Sequence, residues 1–416
     1  MHASGDVHSG RTRADPGEVS YAGAEIGRVE RPGGNRRRSS SRRRAQLARE
    51  LLAVSRKANL HRVGARIRLQ RGRDHVQRGE ATAGVVGDDD GTWHAMRVAL
   101  AVRRRYRRAV DVALQADMLE NRVRKNFRRL HPAFEREGIG AFRVYDWDIP
   151  EIRAAIDWYE RHLVVAEYER EQTRNAPRWL EQMAAAAATA LAVPSERLHL
   201  KRRRTRPAAG ERYGRLARSG ARLSVRERSL RFWVNLDDFI DTGLFADHRE
   251  TRARIRAESR GLRFLNLFGY TGSFSCAAAA GGASGTVTVD TSNTYLAWAR
   301  DNLDLNGLAG GPHQLVHEDA RAFLASAGRR FDLCALDPPS FSTRPGAKGL
   351  DIQRDHRALI EAALATLVPG GVLYFSTNHQ RFEPRLDGLR ATEITAETAP
   401  PDYRRTPHRC FRILSA

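Results

Sequence analysis

The feature that most restricts the fold is an alternation of strand-like and helix-like stretches through residues 263–377. Short apolar runs occupy 263–267, 286–290, 313–316, 331–337 and 371–377, with helical spacing at 272–281, 292–306, 319–328 and 355–368 between them. Strands buried on both faces read as unbroken apolar runs, and an intervening helix returns the chain to the same sheet edge. The pattern predicts an α/β unit with a doubly wound, mainly parallel sheet. Such sheets bind ligands outside the carboxyl ends of their strands, so chemistry is sought in the residues after each run.

After the first run, Arg263–Cys276 reads RFLNLFGYTGSFSC, an apolar strand, a glycine-bearing turn and a helix start. Gly269 and Gly272 permit a tight turn and close approach of a ligand, and the helix start offers free N–H groups to a negative group. The second run ends in Asp290, 21 residues past Gly269, where a carboxylate can accept from both hydroxyls of a ribose. The dinucleotide pattern G-x-G-x-x-G is absent, which favours a nucleoside ligand without a pyrophosphate. The fourth run leads into Asp337-Pro338-Pro339-Ser340-Phe341. Two prolines stiffen the exit from the strand, holding Asp337 and Phe341 at the sheet edge, where an aromatic ring can stack on a flat base.

The remainder of the chain is less regular. A basic helical face is expected over 121–138 (Arg122, Arg124, Lys125, Arg128, Arg129), strands at 141–145 and 163–168, and a helix at 152–161 between them. Further on, a helix at 177–191, a strand at 198–200, a basic run Lys201–Arg206 and a hairpin from 222–225 and 230–234 complete an α+β unit. More than half of the +22 formal charge falls in residues 1–117, a Gly/Ser/Arg-rich stretch with few aromatic anchors. It is expected to be disordered, because it cannot bury enough apolar surface to offset chain entropy; a basic arm for RNA phosphates is the other reading. Net positive charge points to a polyanionic partner, nucleic acid ahead of a membrane. No apolar run approaches the ~20 residues of a membrane span, and no signal peptide is read. Cys276, Cys334 and Cys410 form neither a metal cluster nor an even disulfide set, so a reducing cytoplasm and no metal are expected.

Ordered matches across 118–416 carry a family resemblance: MLENRVRKN at 118–126, RVYDWDIPE at 143–151, FWVNLDDFIDTGLFADHR at 232–249, FLNLFGYTGS at 264–273, DPPSF at 337–341, DIQRDH at 351–356 and FSTNHQRF at 375–382. The chain resembles the class I S-adenosylmethionine-dependent RNA methyltransferases, and within them the RlmK-type 23S rRNA guanine-N7 methyltransferases that form the C-terminal half of bifunctional bacterial proteins. The resemblance implies a Rossmann-like methyltransferase domain at 233–416, an α+β RNA-recognition domain at 116–232 and a basic extension at 1–115. It implies that Phe268, Gly269, Thr271 and Gly272 cradle the methionine end of S-adenosylmethionine, that Asp290 holds the ribose and that Asp319 bonds the adenine amino group. The stretch 242–249, with Phe245, Asp247 and Arg249, is expected to close over the cofactor, and Asp337 with the prolines after it to line the methyl-transfer face on the cofactor side. The THUMP domain and second methyltransferase domain usual in that family are not recognised in residues 1–117.

Within the family, cytosine-5 enzymes attack the ring with a cysteine at the end of the fifth strand; here the place reads Ser376-Thr377-Asn378. The three cysteines are expected to be buried, small apolar residues. Guanine N7 needs no covalent nucleophile, since its lone pair is already nucleophilic and alignment in a pre-set field suffices. Asp337, Pro338 and Asn378, with Arg354, are expected to line and position the base, and Phe341 to stack on it. The expected partner is 23S rRNA, free or partly assembled. A cytosine-5 methyltransferase and a non-catalytic RNA-binding assembly factor are the alternatives.

Overall fold

A computed structural model describes residues 111–174, 176–203, 216–328, 330–342 and 349–416. The expected extension 1–110 and the end of the basic run, Arg204–Arg206, lie outside the described residues. Residues 111–416 belong to one compact unit. No helix among the described residues is long and apolar enough to cross a membrane.

Helix α1 (Val112–Arg136) starts at Asp111, whose carboxylate accepts from Leu114 N at 3.1 Å. Its buried Leu119, Val123, Leu130 and Phe134 form one apolar stripe. That stripe packs with Trp179, Leu180, Met183 and Ala187 of α2 (Trp179–Leu191) over a four-stranded sheet. The sheet has strands β1 (Ala141–Asp146), β2 (Ala154–Tyr159), β3 (His162–Tyr168) and β4 (Leu198–Arg203) in that order. The first three pair antiparallel, whereas β4, arriving through α2, runs parallel to β3.

Two expectations change here. Residues 152–161 form β2 and a tight turn instead of a helix: the apolar residues of AAIDWY are buried on both faces, and Glu160 and Arg161 take positive φ of 43° and 69° to turn the chain. That turn conformation normally calls for Asn-Gly, so its usual sequence signal is missing. The basic run is partly internal. Strand β4 extends through Arg203, and the buried Lys201 ammonium donates to the carbonyls of Phe239 (2.6 Å) and Ile240 (3.1 Å).

A hairpin, β5 (Leu223–Glu227) and β6 (Leu230–Val234), shares one apolar cluster with Ala141, Tyr159 and Val164 on one side and Leu244, Cys276 and Leu303 on the other. The expected boundary at 232/233 therefore falls inside a strand that packs against both parts.

The second sheet holds the site. After α3 (Arg249–Glu258) come β7 (Arg263–Leu267), α4 (Ser273–Ala280), β8 (Gly285–Asp290), α5 (Asn293–Leu305), β9 (His313–His317), α6 (Ala320–Ser326) and β10 (Phe331–Leu336). A short ribbon β11 (Phe341–Ser342) and β12 (Leu350–Asp351) precedes α7 (Ile352–Ala365), β13 (Leu367–Thr377), β14 (Arg390–Glu393) and β15 (Arg409–Leu414). The strand order is β14-β15-β13-β10-β7-β8-β9, parallel from β13 through β9. This is the expected doubly wound sheet, completed by two strands not read from the sequence: β15 inserts antiparallel between β13 and β14. Successive strands are added outward in one direction from β7 (β8, β9) and in the other from β10 (β13), so the crevice at the carboxyl ends of the parallel neighbours β7 and β10 is the switch point where ligands bind.

Candidate active site

The loop leaving β7 is held in an uncommon backbone shape. Phe268 (φ 55°), Tyr270 (φ 48°) and Gly272 (φ 74°) all lie in the left-handed region, which only glycine enters without strain. Three hydrogen bonds maintain it: Gly269 N to Val289 O at 2.9 Å, Tyr270 N to Asp290 Oδ2 at 2.9 Å and Gly272 N to Gly269 O at 2.8 Å. The glycines answer first to packing. A Cβ on Gly269 would sit 2.3 Å from Thr288 Cγ2, and one on Gly272 would sit 2.6 Å from Ala299 Cβ. Thr271 is buried and donates its hydroxyl to Gly243 O at 2.6 Å, fastening the loop to the 242–249 stretch.

Asp290 ends β8 and takes Tyr270 N on one oxygen and Ser292 N, at 2.8 Å, on the other. The carboxylate thus shapes the glycine loop from the carboxyl end of β8. Asp319 follows β9 and caps α6, accepting from Arg321 N at 2.9 Å, with Arg321 Nε at 3.3 Å. Against partial burial, these Arg321 contacts hold its carboxyl below the ordinary value. Tyr270 leans toward Phe245 (ring centroids 5.2 Å) and Tyr295 (4.5 Å), and Phe245 remains 40% exposed. Acceptors at two successive strand ends, a constrained glycine turn and an uncovered aromatic form a cradle that fits a nucleoside.

At the end of β10, Asp337 Oδ1 accepts from Ser376 Oγ of β13 at 2.6 Å, and His248 Nε2 lies 3.4 Å from Oδ2. Sequence reasoning did not single out His248. Burial lowers its pKa to about 4, helped by His408, so the imidazole is neutral at pH 7. His408 stacks on it with centroids 4.0 Å apart and 15° between planes, while its Nδ1 lies 3.4 Å from Asp247 Oδ2. Against burial, the His408 bond and the nearby imidazoles hold Asp247 well below the usual carboxylate range. Asp247, His248 and His408 are close enough to suggest a metal site. Face-to-face rings, however, direct their lone pairs along parallel planes and not toward one ion. The DHR segment offered the signal for His248; its partner His408 stands 160 residues further on, beyond any local pattern.

Arg249 has a different place from the expected one. Its guanidinium is fully buried, pairs with Asp402 and lies 4.7 Å from the Phe134 ring centroid. Asp402 Oδ2 also accepts from Arg143 N at 2.8 Å. Arg249 therefore ties α3 to the four-stranded sheet through the C-terminal segment and does not open toward the crevice.

Beyond Asp337, Pro338 and Pro339 lead to Ser340, whose hydroxyl bonds Asn378 Oδ1 at 2.5 Å. Phe341 is 51% exposed with its ring 5.7 Å from His379, an uncovered aromatic beside the strand ends. Arg354, on α7, is turned to Asp355 (2.6 Å) and Gly349 O (2.9 Å). All three cysteines are buried and unpaired. Burial pushes the Cys276 and Cys410 thiols up to about 12 and Cys334 higher still, so none is a thiolate at neutral pH. Thr377, where a nucleophilic cysteine would stand, is buried and accepts from His379 N at 3.2 Å.

Residues 142–402 match the model of the S-adenosylmethionine-dependent methyltransferase family. The chain is 45% identical over 309 residues to the ribosomal RNA large subunit methyltransferase K/L of Chromohalobacter salexigens, covering 72% of this chain and 42% of that protein. To the protein of the same name from Allochromatium vinosum it is 46% identical over 312 residues, again covering 72% and 42%. The chain thus spans less than half the length of these curated relatives. Among solved structures, a SAM-dependent methyltransferase from Streptococcus mutans superposes with a TM-score of 0.59 at 21% identity, covering 72% of this chain and 81% of that one. A methyltransferase complexed with SAH gives 0.55 at 21% identity, covering 71% and 81%. Both share the fold.

Proposed function

The chain belongs to the S-adenosylmethionine-dependent methyltransferase family, and on that premise we propose that it methylates N7 of a guanine in 23S ribosomal RNA. S-adenosylmethionine is its cofactor and supplies an electrophilic methyl group. The loop Phe268–Gly272, Asp290 and Asp319 would hold it, with Phe245 and Asp247 in the adjoining wall. A ribosomal RNA substrate is supported by the two relatives at 45% and 46% identity, both named for the large subunit, and in this proposal the RNA is free or partly assembled.

The observation that carries the choice of atom is the state of the cysteines. Cytosine C5 must be activated by a covalent nucleophile, and the three thiols are buried and protonated, with Thr377 at the strand end. Guanine N7 presents an in-plane lone pair and loses no proton, so orientation and a fixed electrostatic environment are the whole requirement. In this reading Asp337, Pro338 and Asn378 position the base and Phe341 stacks on it. Ser376 and neutral His248 fix the Asp337 carboxylate, and Arg249 is a structural tie.

The test incubates the chain with S-adenosylmethionine and 23S rRNA, then digests the RNA to nucleosides for mass spectrometry. 7-Methylguanosine is expected, and Asp337→Ala should abolish it while cofactor binding by calorimetry persists. 5-Methylcytidine instead would establish the cytosine reading. Tight RNA binding without cofactor binding would establish the assembly-factor reading.

A further inference from the structure

The basic face of α1 is not used by the site above, yet it lines a groove of about 440 Å³. Its walls are Arg122, Lys125 and Arg129 of α1 and Arg404 of the segment before β15, and Asp148 and Asp402 lie in its lining. All four cations are on exposed residues. The two carboxylates are committed within the protein. Asp402 is paired with Arg249, and Asp148 accepts from Asn126 Nδ2 (3.0 Å) and Asp146 N (3.1 Å). Arg122 reaches Asp148 only at 3.7 Å, and Lys125 and Arg129 form no ion pair among the described residues.

The groove is built, not incidental. Arg404 N and Arg405 N both donate to Asp146 Oδ2 (3.0 and 3.1 Å), the Arg404 guanidinium bonds Asp148 O, and Arg405 lies 3.7 Å over the Trp147 ring. Two segments more than 250 residues apart are thereby fixed with their cations facing one opening. Spacing of i, i+3 and i+7 sets Arg122, Lys125 and Arg129 along roughly 10 Å of one helix face. A single small anion would meet one or two of them; a row of phosphates meets all. Arg124 and Arg128, the other basic residues of this stretch, are not among the residues that line the groove, and Arg124 is paired with Glu120.

We propose that this groove binds consecutive backbone phosphates of the RNA substrate, with Arg122, Lys125, Arg129 and Arg404 as the contacts. The inference rests on RNA being the substrate. It adds the strand's docking track and a mechanical link, since Asp402 in the groove lining holds Arg249, two residues after Asp247 of the site wall.

The test measures binding of the full chain to a 23S rRNA transcript across about 50–200 mM salt, together with methyl transfer to the same transcript. Each phosphate contact contributes roughly 0.7–0.9 to the slope of log K against log salt. R122A/R129A should flatten the slope by about 1.5, weaken binding and raise KM for RNA, with cofactor affinity unchanged. R124A/R128A, which removes equal charge from another face, should keep the wild-type slope. Equal flattening by both pairs would reduce the groove to general electrostatics and overturn the proposal. If wild-type chain methylates the transcript while R122A/R129A keeps slope and KM, the groove fails and the functional reading stands. If wild-type chain transfers nothing to RNA, both fail.

Discussion

Replacing Asp402 by Ala would leave one of the most buried charges in the protein without its buried counter-ion. Arg249 has no exposed surface, and its pair with Asp402 is its one carboxylate contact shielded on both sides. After truncation its guanidinium would retain Ala246 O at 3.3 Å and the partly exposed Glu250 carboxylate at 3.5 Å, and Arg143 N would lose its acceptor. Breaking a buried pair by removing one partner costs about 3–5 kcal/mol, most of it the uncompensated charge. With unfolding entropy of about 2 cal/mol/K per residue over roughly 300 residues, this corresponds to a fall in Tm of about 5–8 °C. Differential scanning calorimetry at fixed cofactor concentration reads the change. The double variant R249M/D402L removes both charges and supplies apolar volume, so it should recover most of the loss. What remains is the orphaned Arg143 N–H, about 1–3 kcal/mol. If the double variant is no more stable than Asp402→Ala alone, the buried charge is not the source of the cost and the reasoning fails.

Gly269→Ala should destabilise by about 1–3 kcal/mol through its clash with Thr288 Cγ2, and adding Thr288→Ser, which deletes that methyl and keeps the hydroxyl bonded to Ser275, should restore both Tm and cofactor affinity. No rescue would place the glycine's role at the ligand instead. His248 has a folded pKa lowered to about 4, so the unfolded chain binds more protons between there and 6.5, and stability falls as pH drops through that window by about 3 kcal/mol. Urea titrations from pH 7 to 4 should show this slope in wild type and a shallower one in His248→Gln; parallel curves would contradict it. Cys276→Ala, Cys334→Ala and Cys410→Ala should each retain methyl transfer, and the native thiols should react with a thiol reagent only after unfolding. Loss of turnover with retained fold in any one of them would restore a covalent route.

The parallel core of the fold was legible because its strands are two-sided and apolar, bounded by turns with distinct chemistry, as in RFLNLFGYTG and DLCALDPPSF. Strand β2 was not. Its alanines carry no strand preference, and its turn uses Glu160-Arg161 where side-chain bonds from Arg226 to Glu160 (2.8 Å), not local propensity, hold the conformation. Lys201 looked like surface charge because burial of an ammonium depends on the carbonyls of Phe239 and Ile240, which no local pattern announces. In the site, single carboxylates at strand ends could be found by counting from the glycine turn. The His248–His408 stack and the Arg249–Asp402 tie join positions about 150 residues apart, so neither has a spacing to read.

The insertion of β15 between β13 and β14 has a consequence for how the polypeptide is made. Strand β14 leaves the ribosome before β15, its neighbour in the sheet, and pairs with no other strand among the described residues. Until Arg409–Leu414 follow, β13 also keeps an open edge along Val372–Thr377. At about 5–20 residues per second the delay is brief, but during it the nascent sheet exposes an unpaired apolar margin. Asp402 lies in the stretch synthesised between the two strands, so the tie to Arg249 and Arg143 and the closure of the sheet are completed within the same short length of chain. The final register of the sheet and the docking of its wall onto the four-stranded unit therefore both wait on one segment, residues 402–414.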